Sequence, residues 1–344
     1  MKVGWVVKTD KISRSQNNYK DKAMIKEPEF QYIQTNGVTL RTVVKGEGPL
    51  VILLHGFPEF WHLWRHQIDP IVEAGYKVAV PDQRGYAGSD APEAIEDYDI
   101  VHLTGDVVGI ADALGYEQFI VIGQDMGCMV AWHTALLYPE RVSAVMGLSV
   151  PYWGRPEVPD TIVNPPGLEG KYWYIRKFQQ PGAEFGMDAS PEAMLRMTYY
   201  IISADSPPGS WMSQVGYPAD ASMADIFKVP AELPQWLTKE DLDYHVAQFK
   251  GNGFRGGVNW YRNLERNWAL TPHLENAKIT QPAHFIAGAE DDVLLYVPNW
   301  AEIMPTHFED LRRTKLIEGA GHWLMLEKPD ETTDEILLFL KDLR

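Results

Sequence analysis

The sequence predicts an α/β fold: a mostly parallel sheet flanked by helices and interrupted once by a long helical insertion. Three observations lead there. Short runs rich in Val, Ile and Leu alternate with helix-like stretches, the pattern of strands buried on both faces. An Asn36-Gly37 pair between two alternating segments opens that pattern with a hairpin. The alternation then stops over residues 151–276, a stretch far too long for a connecting loop, and resumes afterwards.

The elements follow in chain order. Residues 1–28 carry scattered lysines and one short apolar run at 3–7, and read as a peripheral extension. The hairpin occupies 29–44, with Phe30 and Tyr32 before its turn and Val38, Leu40 and Val43 after it. Strands are expected at Leu50–Leu54, 77–80, 119–122 and 144–150, and later at 284–287 and 315–317. The insertion opens with Pro151, Pro156, Pro159 and Pro165-Pro166, then turns helical and aromatic. Six of the 12 tryptophans lie in it: Trp153, Trp173, Trp211, Trp236, Trp260 and Trp268. The expected organisation is a core of 29–150 and 277–344 bearing a helical lid of 151–276.

Composition narrows the partners. The 31 Lys and Arg against 47 Asp and Glu leave a net charge of −16, which argues against nucleic acid or an anionic membrane surface. The single cysteine, Cys128, cannot form an intramolecular disulfide and fits a reducing compartment. No run approaches the roughly 18 apolar residues of a membrane span, and none has signal-peptide length. A soluble cytoplasmic protein is expected. An oligomer is neither indicated nor excluded.

The chemistry centres on Asp125. Gly123-Gln124-Asp125-Met126-Gly127 follows an apolar strand and precedes a helical stretch, the small-x-nucleophile-x-small pattern of the α/β-hydrolase strand-to-helix elbow. A sharp, strained turn leaves no room for side chains two residues either side of the nucleophile. Aspartate where serine is usual changes the reaction. A carboxylate is ionised at neutral pH without a base, attacks carbon electrophiles such as epoxides or alkyl halides, and leaves an ester on the protein. A plain helix N-cap aspartate is the competing reading.

Two further pieces fit the elbow. His55-Gly56-Phe57-Pro58 follows the strand Leu50–Leu54, where this fold supplies its second oxyanion-hole amide, so the expected donors are the N–H groups of Phe57 and Met126. Gly319-Ala320-Gly321-His322-Trp323 puts a histidine on a glycine-rich loop after the last strand, the place of a general base. Its orienting acid should follow the strand at 284–287, where Glu290, Asp291 and Asp292 crowd together. Nothing acidic directly follows the strand at 144–150.

Together these motifs resemble the α/β-hydrolase-fold epoxide hydrolases of the soluble type. The matching text is residues 55–65, residues 81–90, the elbow and Ala320-Gly321-His322, and the likeness covers roughly residues 29–344. The resemblance implies that Asp291, in a Gly-x-x-Asp-x-Val pattern, is the orienting acid. It also implies a pair of lid tyrosines that protonate the epoxide oxygen. Tyr174, in the stretch 174–182, and Tyr261, in 253–263, stand in the two matching motifs. The chemistry calls for such donors, because an alkoxide is too basic to leave unaided and a phenol of pKa roughly 10 can hold or protonate it.

The implied reaction turns an apolar epoxide and water into a vicinal diol, with no metal or organic cofactor. Two positions depart from the family: Gln124 stands where histidine is frequent, and Met126 where tryptophan is frequent. Haloalkane dehalogenases share the aspartate, but their halide cradle uses that tryptophan. Met126 has no side-chain N–H, and Phe57 offers none in place of an asparagine. A non-catalytic hydrolase-like binding protein is the reading from another class, and it would be expected to lack part of the triad.

Overall fold

The computed structural model describes residues 28–158 and 163–344; the extension read at 1–28 lies, but for Pro28, outside the described residues. Eight strands form one sheet in the order β1-β2-β4-β3-β5-β6-β7-β8. They are β1 Phe30–Thr35, β2 Val38–Lys45, β3 Leu50–Leu54, β4 Lys77–Pro81, β5 Phe119–Gln124, β6 Val142–Leu148, β7 Ala283–Gly288 and β8 Leu311–Ile317. β1 and β2 pair antiparallel across the Asn36-Gly37 turn, and β2 pairs antiparallel with β4. Every pair from β4 to β8 is parallel.

Burial explains which strands read plainly. No residue of β3, β5 or β7 is exposed, so an unbroken apolar run is what those positions require. β8 differs. It is an edge strand that starts at Leu311 rather than Lys315, and its first residues include Arg312, Arg313 and Thr314. Charge on an edge deters pairing with another chain, and it also hides the strand from a search for apolar runs. β6 begins two residues earlier than expected and ends at Leu148, because Ser149 takes a φ of 73° and leaves the extended conformation.

Helices cover both faces. The helix Met126–Leu137 packs on β5 and β6, and the helix Ile100–Ala113 packs against it and against β1. The helix Pro329–Lys341 runs beside the far edge, where Glu335 takes both arms of Arg313 at 2.6 and 2.7 Å. Between β6 and β7 the chain folds as helices, among them Tyr174–Phe178, Pro191–Ile201, Lys239–Asn252 and Arg255–Arg262. Lys239–Asn252 starts on a reciprocal capping box between Thr238 and Asp241. Arg255–Arg262 sits so close to the core that a Cβ on Gly256 would lie 2.4 Å from the Gly85 backbone.

The consequence for function is geometric. Because β3, β5, β7 and β8 are parallel, the loops after them all emerge on one edge of the sheet. The helical insertion lies over that edge: Trp260 of the insertion donates its indole N–H to the Arg84 carbonyl at 3.3 Å.

Candidate active site

Asp125 directly follows β5 with φ 54° and ψ −124°, a conformation that L-residues rarely adopt. It stands at the N-cap position of the following helix, yet its side chain makes no capping hydrogen bond. The carboxylate instead turns outward from the sheet edge. A Cβ on Gly127 would fall 2.3 Å from the His55 carbonyl oxygen, so the elbow can pass β3 only with glycine there. The N-cap alternative is thereby set aside.

The two carboxylate oxygens of Asp125 have different surroundings. Oδ1 accepts the Phe57 backbone N–H at 2.9 Å. Oδ2 lies 3.4 Å from His322 Nε2. Met126 opens the helix, so its amide is among the first-turn donors that have no partner within a helix. The Phe57 loop is braced from the neighbouring strand: Gln83 donates its backbone N–H to His55 Nε2 at 2.9 Å and its side-chain amide to the His55 carbonyl at 2.5 Å. Burial lowers His55 to about 4, which leaves a neutral imidazole to accept that bond.

Of the three acids after β7, Asp291 faces the histidine, with its Oδ2 2.9 Å from His322 Nδ1. Asp292 points the other way and accepts the backbone N–H groups of Gly209 and Trp211, both at 2.9 Å. Glu290 is exposed and accepts from Gly319 N–H at 3.2 Å. Burial opposes protonation of His322, but the carboxylates of Asp291 and Asp125 outweigh it and hold the imidazole up to about 10.

Tyr174 and Tyr261 face Asp125 across a chamber of about 310 Å³. Apolar side chains dominate its wall, among them Trp153, Trp173, Leu168 and Leu264. The two phenol rings stand edge to face with centroids 5.8 Å apart. Burial and then the Asp125 charge push both phenols well above their usual range, so each keeps its proton. A smaller cavity of about 30 Å³ adjoins, bordered by Asp125, His322, Phe57 and both tyrosines.

The chain matches the family model described as alpha/beta hydrolase fold over residues 49–329. It is 42% identical to epoxide hydrolase A of Mycobacterium tuberculosis over 92% of its own length and 98% of that protein. Epoxide hydrolase 2 of Siraitia grosvenorii is 34% identical, over 91% of this chain and 98% of that one. The crystal structure of epoxide hydrolase A from Mycobacterium thermoresistibile superposes with a TM-score of 0.84 at 44% identity, covering 92% and 98% of the two chains.

The chain belongs to the epoxide hydrolases of the α/β-hydrolase fold.

Other residues of this epoxide hydrolase escaped the sequence reading. Gln124, a departure from the family pattern, is fully buried and donates to the His322 carbonyl at 3.3 Å, tying β5 to the histidine loop. Glu327, five residues after His322, accepts the amides on either side of it. Tyr296, five residues after Asp291, lines both cavities beside Tyr174. Gln124 stands inside the elbow motif but reads there only as a departure; Glu327 and Tyr296 stand in no recognisable motif, and the sequence offered only their closeness to His322 and Asp291. The tryptophans of the insertion divide. Trp153, Trp173 and Trp211 line the cavities, while Trp260 is buried against Tyr86.

Proposed function

We propose that the protein converts apolar epoxides to vicinal diols through a covalent ester on Asp125. The observation that carries this reading is the placement of one carboxylate between an amide donor and two protonated phenols. Oδ1 is engaged by the Phe57 N–H, so Oδ2 is the oxygen that attacks the epoxide carbon. As the ring C–O bond breaks, Tyr174 and Tyr261 hydrogen-bond the departing oxygen and supply its proton.

The second step uses the same atoms differently. Esterification removes the charge of Asp125, one of the two carboxylates that hold His322 protonated. The imidazole then gives up its proton, which makes good the one the phenols lost, and, still oriented by Asp291, takes another from water. The cavity of about 30 Å³ beside Asp125 and His322 has room for that water. Its attack on the ester carbonyl puts negative charge on Oδ1, where Phe57 and Met126 amides stabilise it. Collapse of that intermediate releases the diol and restores the carboxylate.

A chamber of about 310 Å³ is at the small end of ligand pockets, which suits a compact substrate such as an aryl or short alkyl epoxide. The insertion, 151–276, serves in this reading as a lid on a core formed by 29–150 and 277–344. Among the described residues no helix is long and apolar enough to cross a membrane. With one buried cysteine, the reading places the protein in the cytoplasm.

The test is isotopic. A single turnover of styrene oxide in H₂¹⁸O should leave the diol unlabelled and the label in the Asp125 carboxylate. Label in the first-turnover diol would mean direct attack by water and would overturn the ester. Turnover of 1-bromobutane or a nitrophenyl ester in place of every epoxide would overturn the substrate class.

A further inference from the structure

The loops after four parallel strands meet at the site. Those after β5, β7 and β8 carry Asp125, Asp291 and His322; the loop after β6, which lies between β5 and β7, begins with Ser149. The reaction proposed above gives Ser149 no task, yet it is fully buried and strained. Five residues other than glycine take a positive φ among the described residues, and two of them are Asp125 at 54° and Ser149 at 73°. Gln124 pairs in register with Leu148, so the two strained residues stand side by side on neighbouring strands. Such a conformation persists only where its surroundings fix it, and it concentrates at functional sites. Here the surroundings do fix it. Ser149 N–H donates to the Ile286 carbonyl of β7 at 3.0 Å, and the Val150 carbonyl accepts from Cys128 Sγ at 3.0 Å and Trp132 Nε1 at 3.1 Å.

The bend sets the direction of one hydroxyl. Ser149 Oγ donates to the His322 carbonyl at 3.0 Å. Gln124 Nε2 donates to the same carbonyl at 3.3 Å, so both of its lone pairs are engaged. On the other side, His322 N–H donates to the Ile202 carbonyl at 2.9 Å. The His322 backbone is thus held at both of its polar groups, from β5 and β6 on one side and from the insertion on the other. Its ring then reaches Asp291 at 2.9 Å and Asp125 at 3.4 Å from a fixed root.

We propose that Ser149 is a positioning residue for ester hydrolysis: its hydroxyl, aimed by the left-handed turn after β6, holds the His322 backbone where the imidazole meets both Asp291 and the attacking water. The proposal rests on the general-base role given above to His322. It singles out the second step, because ring opening uses the Asp125 carboxylate and the phenols of Tyr174 and Tyr261, none of which Ser149 Oγ contacts. A base has to lie within hydrogen-bond reach of the water whose proton it takes, and small misplacements there cost rate.

Single-turnover kinetics of the full-length protein with styrene oxide separate formation of the ester from its hydrolysis. Ser149→Gly accepts a positive φ without steric cost and removes the hydroxyl. It should slow ester hydrolysis about fivefold, the worth of one neutral hydrogen bond, and leave ring opening nearly unchanged. Gln124 Oε1 has no partner among the described residues, so Gln124→Met loses only the longer bond to His322 and should cost less. Together the two changes should cost more than their product, since either donor alone still holds the carbonyl. Asp291 favours the protonated imidazole, so a ring that drifts from it should act as a base at lower pH. The rise of ester hydrolysis with pH should accordingly shift downward in Ser149→Gly, which a mere loss of fold stability would not cause. Wild-type ester hydrolysis in Ser149→Gly, equal slowing of both steps, or an unmoved pH profile would overturn the proposal. The reading beneath it fails separately. Ester hydrolysis at the wild-type rate in His322→Gln would remove that reading; a stalled ester in His322→Gln beside normal hydrolysis in Ser149→Gly would remove this proposal alone.

Discussion

His322 sits between two carboxylates, 2.9 Å from Asp291 and 3.4 Å from Asp125, and only one of them changes during the proposed reaction. That asymmetry gives a histidine two behaviours. Beside ionised Asp125 it is a cation held up to about 10; beside the Asp125 ester it has one negative neighbour and becomes a base. His322→Gln should therefore separate the two half-reactions. Ring opening needs the Asp125 carboxylate and the tyrosine donors, all of which remain. Ester hydrolysis loses its base, a loss of roughly 100-fold to 10,000-fold for a positioned general base. Intact-protein mass spectrometry after addition of styrene oxide should show one added substrate mass, mapped to Asp125. A variant that consumes epoxide at the wild-type steady rate with no adduct would assign His322 another task. The φ of 54° at Asp125 belongs to the same logic, since a relaxed turn would carry the carboxylate away from Phe57 N–H and both phenols.

The loop carrying His322 is held to elements that the sequence does not visibly connect. Glu327 accepts three backbone N–H groups: Gly321 at 3.0 Å, Trp323 at 2.9 Å and, from the insertion, Ala204 at 2.8 Å. His322 N–H itself donates to the Ile202 carbonyl at 2.9 Å. One carboxylate thus fastens both neighbours of the candidate base and the end of the helix Pro191–Ile201. Burial pushes Glu327 up to about 7, against the pull of those three amides. Glu327→Gln removes the charge that makes such bonds strong and should slow ester hydrolysis about tenfold, with a smaller effect on ring opening. Stopped-flow measurement of the two steps checks this, and equal slowing of both would reduce Glu327 to a support of the fold. What could be read beforehand follows the same division. β3, β5 and β7 were legible because both faces are buried, and the elbow because its glycines are forced by close contact, Gly127 with the end of β3 and Gly123 with the backbone of Gly127 and Cys128. The start of β8 was not, since an edge strand can carry arginines. Asp291 could be chosen from its two acidic neighbours only by family likeness; the register of the loop turns Asp292 toward Trp211 instead. Tyr296 meets Trp211 and Glu327 meets Ala204 across long stretches of chain, so nothing local marks either contact.

At the scale of the molecule, burial has shifted several titrating groups in directions that combine into a pH profile. Glu59 is fully buried and pushed up to about 8, chiefly by desolvation, and Glu327 to about 7. Both carboxyls bind protons more tightly in the fold than in the unfolded chain, so each disfavours folding increasingly as pH rises from about 4.5 to its folded value. His322 acts in the same sense over a higher window. Its contribution is complete below the ordinary histidine value of roughly 6.5 and is lost as pH climbs through about 10. On the acid side, His55, His62 and His245 are kept neutral by burial, with His55 lowered to about 4. The unfolded chain protonates them below about 6.5 while the fold resists, so they weaken the fold on acidification. Between about 4.5 and 6.5 the two sets oppose each other; above 6.5 only the destabilising trend remains. Stability should therefore fall steadily from pH 6.5 to 10, by an amount on the order of a few kcal/mol, since one pKa unit is about 1.4 kcal/mol. Chemical denaturation at half-unit pH steps measures it. Glu59→Gln, which keeps the uncharged shape of the buried acid, should flatten the descent below pH 8, and His322→Gln should flatten it above. A wild-type profile that rises between pH 7 and 9 would mean that Glu59 and Glu327 are ionised at little cost in the fold and that His322 carries no proton between its two carboxylates.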